Sequence, residues 1–437
     1  MADVLLGDVL RLILELIDSP VCLVRAAATC KRWCRIISSP GFLRRFRSDH
    51  APTLVAGDYF NHSTLLSALA SVVQPRTRHR TSSSSLSVDA SKTRDRPTFV
   101  PAPSSSTIDA TKFSLDFLPN DEDDEPHAWT VFDSRGSLLL LIRSRLGHFD
   151  SGFPDMFVCE PATRCYKKIP PPPMLPRRGD CYKAAYLVDG ETNAAGGRIG
   201  MSNFKVLCVF CRLCSRRAAT FTVADGSSWS DKAPRIVLGQ VDPHTIELAL
   251  DNDLVRFEED PLCPMRTLGR AGGSWYFHNT LYESYSEQLI VLDGGTGEFS
   301  MCALSFPSDS WVDFHYENTN FYVADGRDGK LRVVAVFDET LKVFARLDDG
   351  KWAPEKSVVL SEATHSLPGY DSLFFEEPLN ILTRAPGFVI LSPQAIETWL
   401  ISVDLETMEV ALAEEDMGPM VYRCELPWPP ALNAGIR

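Results

Sequence analysis

The chain runs to 437 residues, more than one ordinary domain, and its 57 Asp and Glu outnumber 44 Lys and Arg for a net charge of −13. That acidity argues against nucleic acid as the main ligand, because phosphate contacts need a basic surface. The 12 cysteines lack the regular spacing of a secreted disulfide framework, and the apolar amino terminus has neither the basic lead of a signal peptide nor the length of a membrane span, so free thiols in the cytoplasm or nucleus, and no membrane partner, are expected.

Between Val4 and Ile17 only Gly7, Asp8, Arg11 and Glu15 are not hydrophobic. A surface helix needs one apolar stripe, and a helix apolar over most of its circumference must be covered on more than one side. Asp3 or Asp8 can cap this helix, and Ser19 followed by Pro20 starts a second one with a capping side chain and a proline where no N–H is missed. Leu23, Val24, Ala27, Ala28 and Cys30 then share one broad face at three- and four-residue spacing. Trp33, Ile36 and Ile37 continue the pattern after a break, 38–41 stop it, and Phe42, Leu43 and Phe46 begin a last short helix. A helical piece of roughly 45 residues is near the size at which isolated cores fail without help, so the segment reads as half of an interface.

The anchors Val9-Leu10-x-x-Ile13-x-x-Leu16, Leu23-Val24-Arg25-Ala26, Cys30-Lys31-Arg32-Trp33 and Ile36-Ile37-Ser38-Ser39-Pro40-Gly41-Phe42-Leu43, in this order and spacing, resemble an F-box. The overall style of the chain is similar to the large F-box families of grasses. The family's usual Leu-Pro entry is Leu6-Gly7 here, and its proline after the first helix is replaced by Ile17-Asp18. The resemblance implies a substrate receptor of a Skp–cullin–F-box ubiquitin ligase. A Skp-family adaptor would dock on Leu10, Ile13, Leu16, Leu23, Val24, Cys30 and Trp33, with Leu6 and Val9 at the edge, and would bring cullin and RING subunits. Charge agrees in sign: residues 1–50 hold eight Lys/Arg against five Asp/Glu, a balance of +3, while the remainder, 36 against 52, is −16. A basic module on an acidic body suits an acidic adaptor.

Beyond it, 52–60 is a short apolar continuation whose 54–57 reads as a first strand. The stretch 74–106, rich in Ser, Thr, Arg and Pro with four serines at 82–85, reads as a linker. The acid run 121–125 reads as a solvated loop, since it lacks the glycine turn and ligand alternation of a calcium loop. From Trp129 onward short runs such as 137–142, 156–159, 204–210, 289–292, 331–337 and 399–403 alternate with turns, the pattern of dense β-sheet. One hairpin recurs: strand, acid, two residues, threonine, strand. It is seen at Glu160/Thr163, Asp293/Thr296 and Asp404/Thr407. The acid there should bond backbone N–H groups two residues on, with the threonine hydroxyl doing likewise. Intervals of 133 and 111 residues fit multiples of a blade repeat, which makes a β-propeller the first architecture and an irregular pair of β-sandwiches the second. Asp133-Ser134-Arg135-Gly136-Ser137 and Glu160-Pro161-Ala162-Thr163-Arg164 are similar to phrases of the F-box-associated β domains.

No catalytic constellation emerges. Cys208-x-x-Cys211-x-x-Cys214 lacks a second pair, and on a strand three-residue steps point to opposite faces, so no metal site is expected. His244, His278, His315 and His365 stand singly, Gly-x-Ser-x-Gly is absent, and the glycines of 269–273 precede a strand rather than a phosphate-binding helix. The expectation is therefore an α+β multidomain chain without cofactors. It would comprise an all-α F-box module at 1–50, a linker and first strand at 51–110, and a β-propeller-like domain at 111–437 that holds an unknown substrate protein. The alternative is a β-propeller enzyme or ligand-binding module whose helical cap docks no adaptor.

Overall fold

The computed structural model describes residues 2–17, 20–37, 39, 41–42, 45, 55–61, 96–102, 109–119, 127–145, 153–173, 181–188, 199–212, 215–223, 227–230, 236–237, 265–279, 288–303, 321–326, 330–347, 351–376, 379–385, 387–393, 399–413 and 421–426. The serine run at 82–85, the acid run at 121–125, Leu43, Phe46, Cys214, His244 and His315 lie outside them. Three short helices come first: α1 (Ala2–Glu15), α2 (Pro20–Thr29) and α3 (Lys31–Ile37). They share a small cluster of Leu14, Leu23, Ala26, Ala27, Ile37 and Phe42.

Beyond them the described residues are mostly strands. β1 (Val55–Phe60) pairs antiparallel with β2 (Thr98–Pro101). β3 (His127–Arg135), β4 (Leu138–Arg145), β5 (Asp155–Glu160) and β6 (Cys165–Ile169) make an antiparallel meander. So do β7 (Cys181–Val188), β8 (Lys205–Arg212), β9 (Ser215–Thr222) and β10 (Ser228–Ser230), with β11 (Ile236–Val237) also on β9. β12 (Met265–Ala271), β13 (Ser274–Asn279), β14 (Gln288–Asp293) and β15 (Phe299–Ala303) form a third meander. β16 (Phe321–Asp325), β17 (Leu331–Phe337), β18 (Thr340–Arg346) and β19 (Trp352–Val359) form a fourth. The short helix α4 (Leu360–Thr364) leads on to β20 (Asn380–Ala385), β21 (Phe388–Ser392), β22 (Ile401–Asp404) and β23 (Val410–Leu412). Finally β24 (Val421–Glu425) returns to lie on the other edge of β1.

This architecture corrects the expected fold class. The described chain is mostly β rather than α+β, and three short helices stand where a full all-α F-box module was expected. The described strands form five sheets of three to eight strands, not the closed ring of like four-stranded blades that a propeller requires. One physical cause is Gly269. Its φ of +143° and missing Cβ let β12 run against β16 in a parallel bridge to Val323, and a Cβ there would sit 2.1 Å from the Val323 carbonyl oxygen. Two meanders are thereby fused into a single eight-stranded sheet.

Burial explains the continuous apolar run Leu138–Leu139–Leu140–Leu141. Leu138 and Leu140 face a core shared with Leu187, Val206, Cys208 and Phe210, while Leu139 and Leu141 face another shared with Tyr59, Trp129, Tyr422 and Cys424. A strand covered on both faces needs no polar alternation. Cys208 is thus an apolar core side chain.

Polar ties fasten adjacent sheets. Asn61 mimics a peptide group, donating to the Val131 carbonyl and accepting from the Val131 N–H, both at 2.9 Å. On β3, the Asp133 carboxylate accepts from the Leu187 N–H of β7 at 2.7 Å and from the Ser134 N–H at 2.9 Å. Arg270 of β12 donates to the Leu187 carbonyl at 3.3 Å and lays its guanidinium 4.5 Å from the centroid of Trp275. Withdrawal from water pushes the Asp133 carboxyl up to about 6, against the opposing pull of the Leu187 and Ser134 N–H groups, Arg270 and Arg135.

The recurrent hairpins show the anticipated bonding where the acid is Asp. Asp293 Oδ1 accepts from Gly295 N, Thr296 N and Thr296 Oγ1, and Asp404 Oδ1 accepts from Glu406 N and Thr407 N. Glu160 is one methylene longer and behaves differently: it accepts from the hydroxyls of Thr163 and Ser137, and Arg164 takes the left-handed turn position at φ 57°.

Candidate partner-docking surface on the N-terminal helices

The outer side of α1 carries the strongest candidate. Leu10, Leu14 and Ile17, at i, i+4 and i+7, face the small helical core. A second apolar stripe, Val9, Leu12, Ile13 and Leu16, lies at i, i+3, i+4 and i+7 on the adjoining outward side and is exposed, Leu12 at 61% and Leu16 at 79%. One 14-residue helix and the turn that ends it thus display four large apolar side chains to solvent. This doubled periodicity is the structural meaning of a helix that is apolar almost all round.

Val9, Leu10 and Ile13 meet Arg32 and Trp33 of α3 around an open cleft of about 230 Å³. Trp33 is half-buried, one side resting on the helical cluster. Charged groups frame the apolar floor. Lys31, Arg32 and Arg35 are exposed on α3, and Glu15 on α1 is engaged by Arg11 and by Arg45, both at 3.0 Å. Such exposed ion pairs orient side chains more than they stabilise the fold.

No family model matches this chain, and no curated protein does. A crystal structure of a protein of unknown function from Bacteroides caccae is similar at 10% identity, over 70% of this chain and 89% of its own, with a TM-score of 0.33. A protein from Lactobacillus plantarum is 14% identical over 67% of this chain and 86% of its own, with a TM-score of 0.30. A functionally unknown protein from Desulfotomaculum acetoxidans is 12% identical over 68% and 75%, with a TM-score of 0.34. Likenesses this distant carry no conclusion about activity or partner.

Of the residues expected at the docking surface, Val9, Leu10, Ile13 and Trp33 come together at the cleft. Leu16 extends the exposed stripe, and Cys30 is exposed at the junction of α2 and α3. Leu6 lies in α1 and Val24 in α2, but their side chains are outside the described residues. Leu23 requires a correction: it is fully buried among Leu14, Ala27 and Phe42, so it holds the helices together and offers nothing to a partner. Two residues were missed. Leu12 follows from Val9 by a three-residue step, a signal present in the sequence; Arg32 lies inside the Cys30-Lys31-Arg32-Trp33 phrase yet received no role of its own. Among the described residues no group of three His, Cys, Asp or Glu is placed to hold a metal. No helix among them is long and apolar enough to cross a membrane.

Proposed function

We propose that the N-terminal helices dock a Skp-family adaptor and that the chain serves as the substrate-recognition subunit of a Skp–cullin–F-box ubiquitin ligase in the cytoplasm or nucleus. The observation that carries this reading is the solvent-facing stripe Val9, Leu12, Ile13 and Leu16 beside the Trp33 cleft. Burying each aliphatic side chain contributes about 1.5–3 kcal/mol, so a few of them, with one aromatic anchor, suffice for a stable complex. Lys31, Arg32 and Arg35 would meet the acidic surface that the F-box resemblance implies for the adaptor. The β-rich remainder would hold a client protein near the ubiquitin-carrying enzyme. Raised effective concentration is then this chain's contribution, and the bond-making chemistry belongs to other subunits.

The test is Ile13→Asp with Leu16→Asp, two exposed positions whose change leaves the helical core intact. Purified full-length protein and a purified Skp adaptor should co-elute for the wild type and separate for the double variant. Co-elution of the variant, or no complex with the wild type, overturns the proposal.

A further inference from the structure

The connection from β19 to β20 is braced far more than its turn-like sequence requires. Thr364 Oγ1 donates to the Leu360 carbonyl at 2.7 Å, and the Trp399 indole N–H reaches the Pro368 carbonyl at 3.1 Å. Gly369, at φ +77°, bends the chain beneath Trp399. Asp371 caps the following 3₁₀ turn, Ser372–Phe375, by accepting from the Leu373 N–H at 3.0 Å. Phe374 lies 4.8 Å from the Trp399 ring and Phe375 6.1 Å from Tyr370. Yet Leu373, at the crest of this fixed segment, is 63% exposed, more than any other large apolar side chain described outside residues 2–17. A leucine with most of its surface in water gains little from burial within its own chain.

Charge defines what could cover it. From Leu360 to Asn380 the sequence carries Glu362, Asp371, Glu376 and Glu377 and no Lys or Arg. Asp371 and Glu376 bracket the 3₁₀ turn and are exposed, and Tyr370 and Phe375 beside them are half-buried.

We propose that this crest is a docking epitope for a basic peptide segment of a partner protein, one that sets an aliphatic or aromatic residue among lysines or arginines. The apolar residue would cover Leu373 and the flank of Phe375, while its cationic neighbours face Asp371 and Glu376. The bracing matters because a surface already ordered loses little entropy on binding. This site is separate from the helical cleft and does not depend on an adaptor docking there.

Short random peptides displayed on phage, selected against the full chain, test the assignment. Recovered peptides should combine Lys or Arg with Leu, Ile or Phe. Their affinity, read by fluorescence anisotropy, should fall about tenfold or more in Leu373→Ser and in Glu376→Lys, as expected for a central contact, and stay unchanged in Met301→Ser, which alters an exposed apolar residue of β15. Peptides without this chemistry, an empty selection, or equal affinity for Leu373→Ser would overturn the proposal. The helix variant Ile13→Asp/Leu16→Asp should retain peptide binding, so failure of either site is read independently of the other.

Discussion

Replacing Asp133 by Asn should remove a pH dependence that this one carboxyl imposes on the whole fold. Asp133 is half-buried where β3 meets β7, and its folded-state pKa of about 6 stands against an ordinary value of 3.8. In the unfolded chain the proton is lost near pH 4; in the folded chain it is kept until about pH 6. The protonated carboxyl therefore favours the folded state below pH 4, and that advantage is lost as the pH rises toward 6, after which the curve is flat. Roughly two pKa units correspond to about 3 kcal/mol. The Asn side chain keeps one acceptor but turns an N–H against either Leu187 or Ser134, a loss of about 1 kcal/mol. Above pH 6, the variant should therefore be more stable than the wild type, by about 2 kcal/mol at most. The assay is urea denaturation of both proteins at pH 4, 5, 6 and 7, with the difference between them plotted against pH so that all other titrations cancel. A difference that does not change over this range would refute the reasoning, as would a gap that widens toward acid in favour of the variant.

Gly269→Ala should cost about 2 kcal/mol or more in denaturant titrations, because the added Cβ meets the Val323 carbonyl and the backbone is in a region that disfavours side chains. Asp293→Ala removes the acceptor of three turn hydrogen bonds in an exposed hairpin and should cost only about 1 kcal/mol. Those bonds, chiefly from the Thr296 N–H, hold the Asp293 carboxyl below its usual range, so the stabilisation they supply should fade as the pH falls from the ordinary carboxylate value toward the lowered one, and thermal melts of wild type and variant should converge in strong acid. Leu23→Ala should cost about 2–5 kcal/mol within the helical cluster and reduce the far-ultraviolet helix signal, whereas Leu12→Ala at the exposed stripe should leave that signal unchanged.

Local chemistry was readable from the sequence. The apolar segment at 289–292 lies within β14, and Asp293 and Asp404 close their hairpins with the backbone hydrogen bonds that short acids favour. Which side of α1 faces inward was not readable, because Leu10 and Leu14 differ from Leu12 and Ile13 only in what the other helices cover. Leu23 was assigned to the surface for the same reason. The sheet plan was hidden more deeply. The run Leu138–Leu141 has lost the alternation that would reveal its two faces, and the fusion of two meanders depends on one glycine meeting a strand some fifty residues later. Leu373 was equally invisible, since its exposure is set by how Phe374 and Trp399 lock the turn beneath it.

The pairing of β1 with β24 has a consequence for synthesis. The ion pair between Asp58 and Arg423 joins positions 365 residues apart. At about 5–20 residues per second, a ribosome needs roughly 20–70 s to deliver the second partner after the first. Until then β1 has only β2 on one side, and a two-stranded ribbon of this kind is marginal alone. Its vacant edge is a template on which another nascent chain can misjoin, so a strand made late relieves a hazard created by one made early.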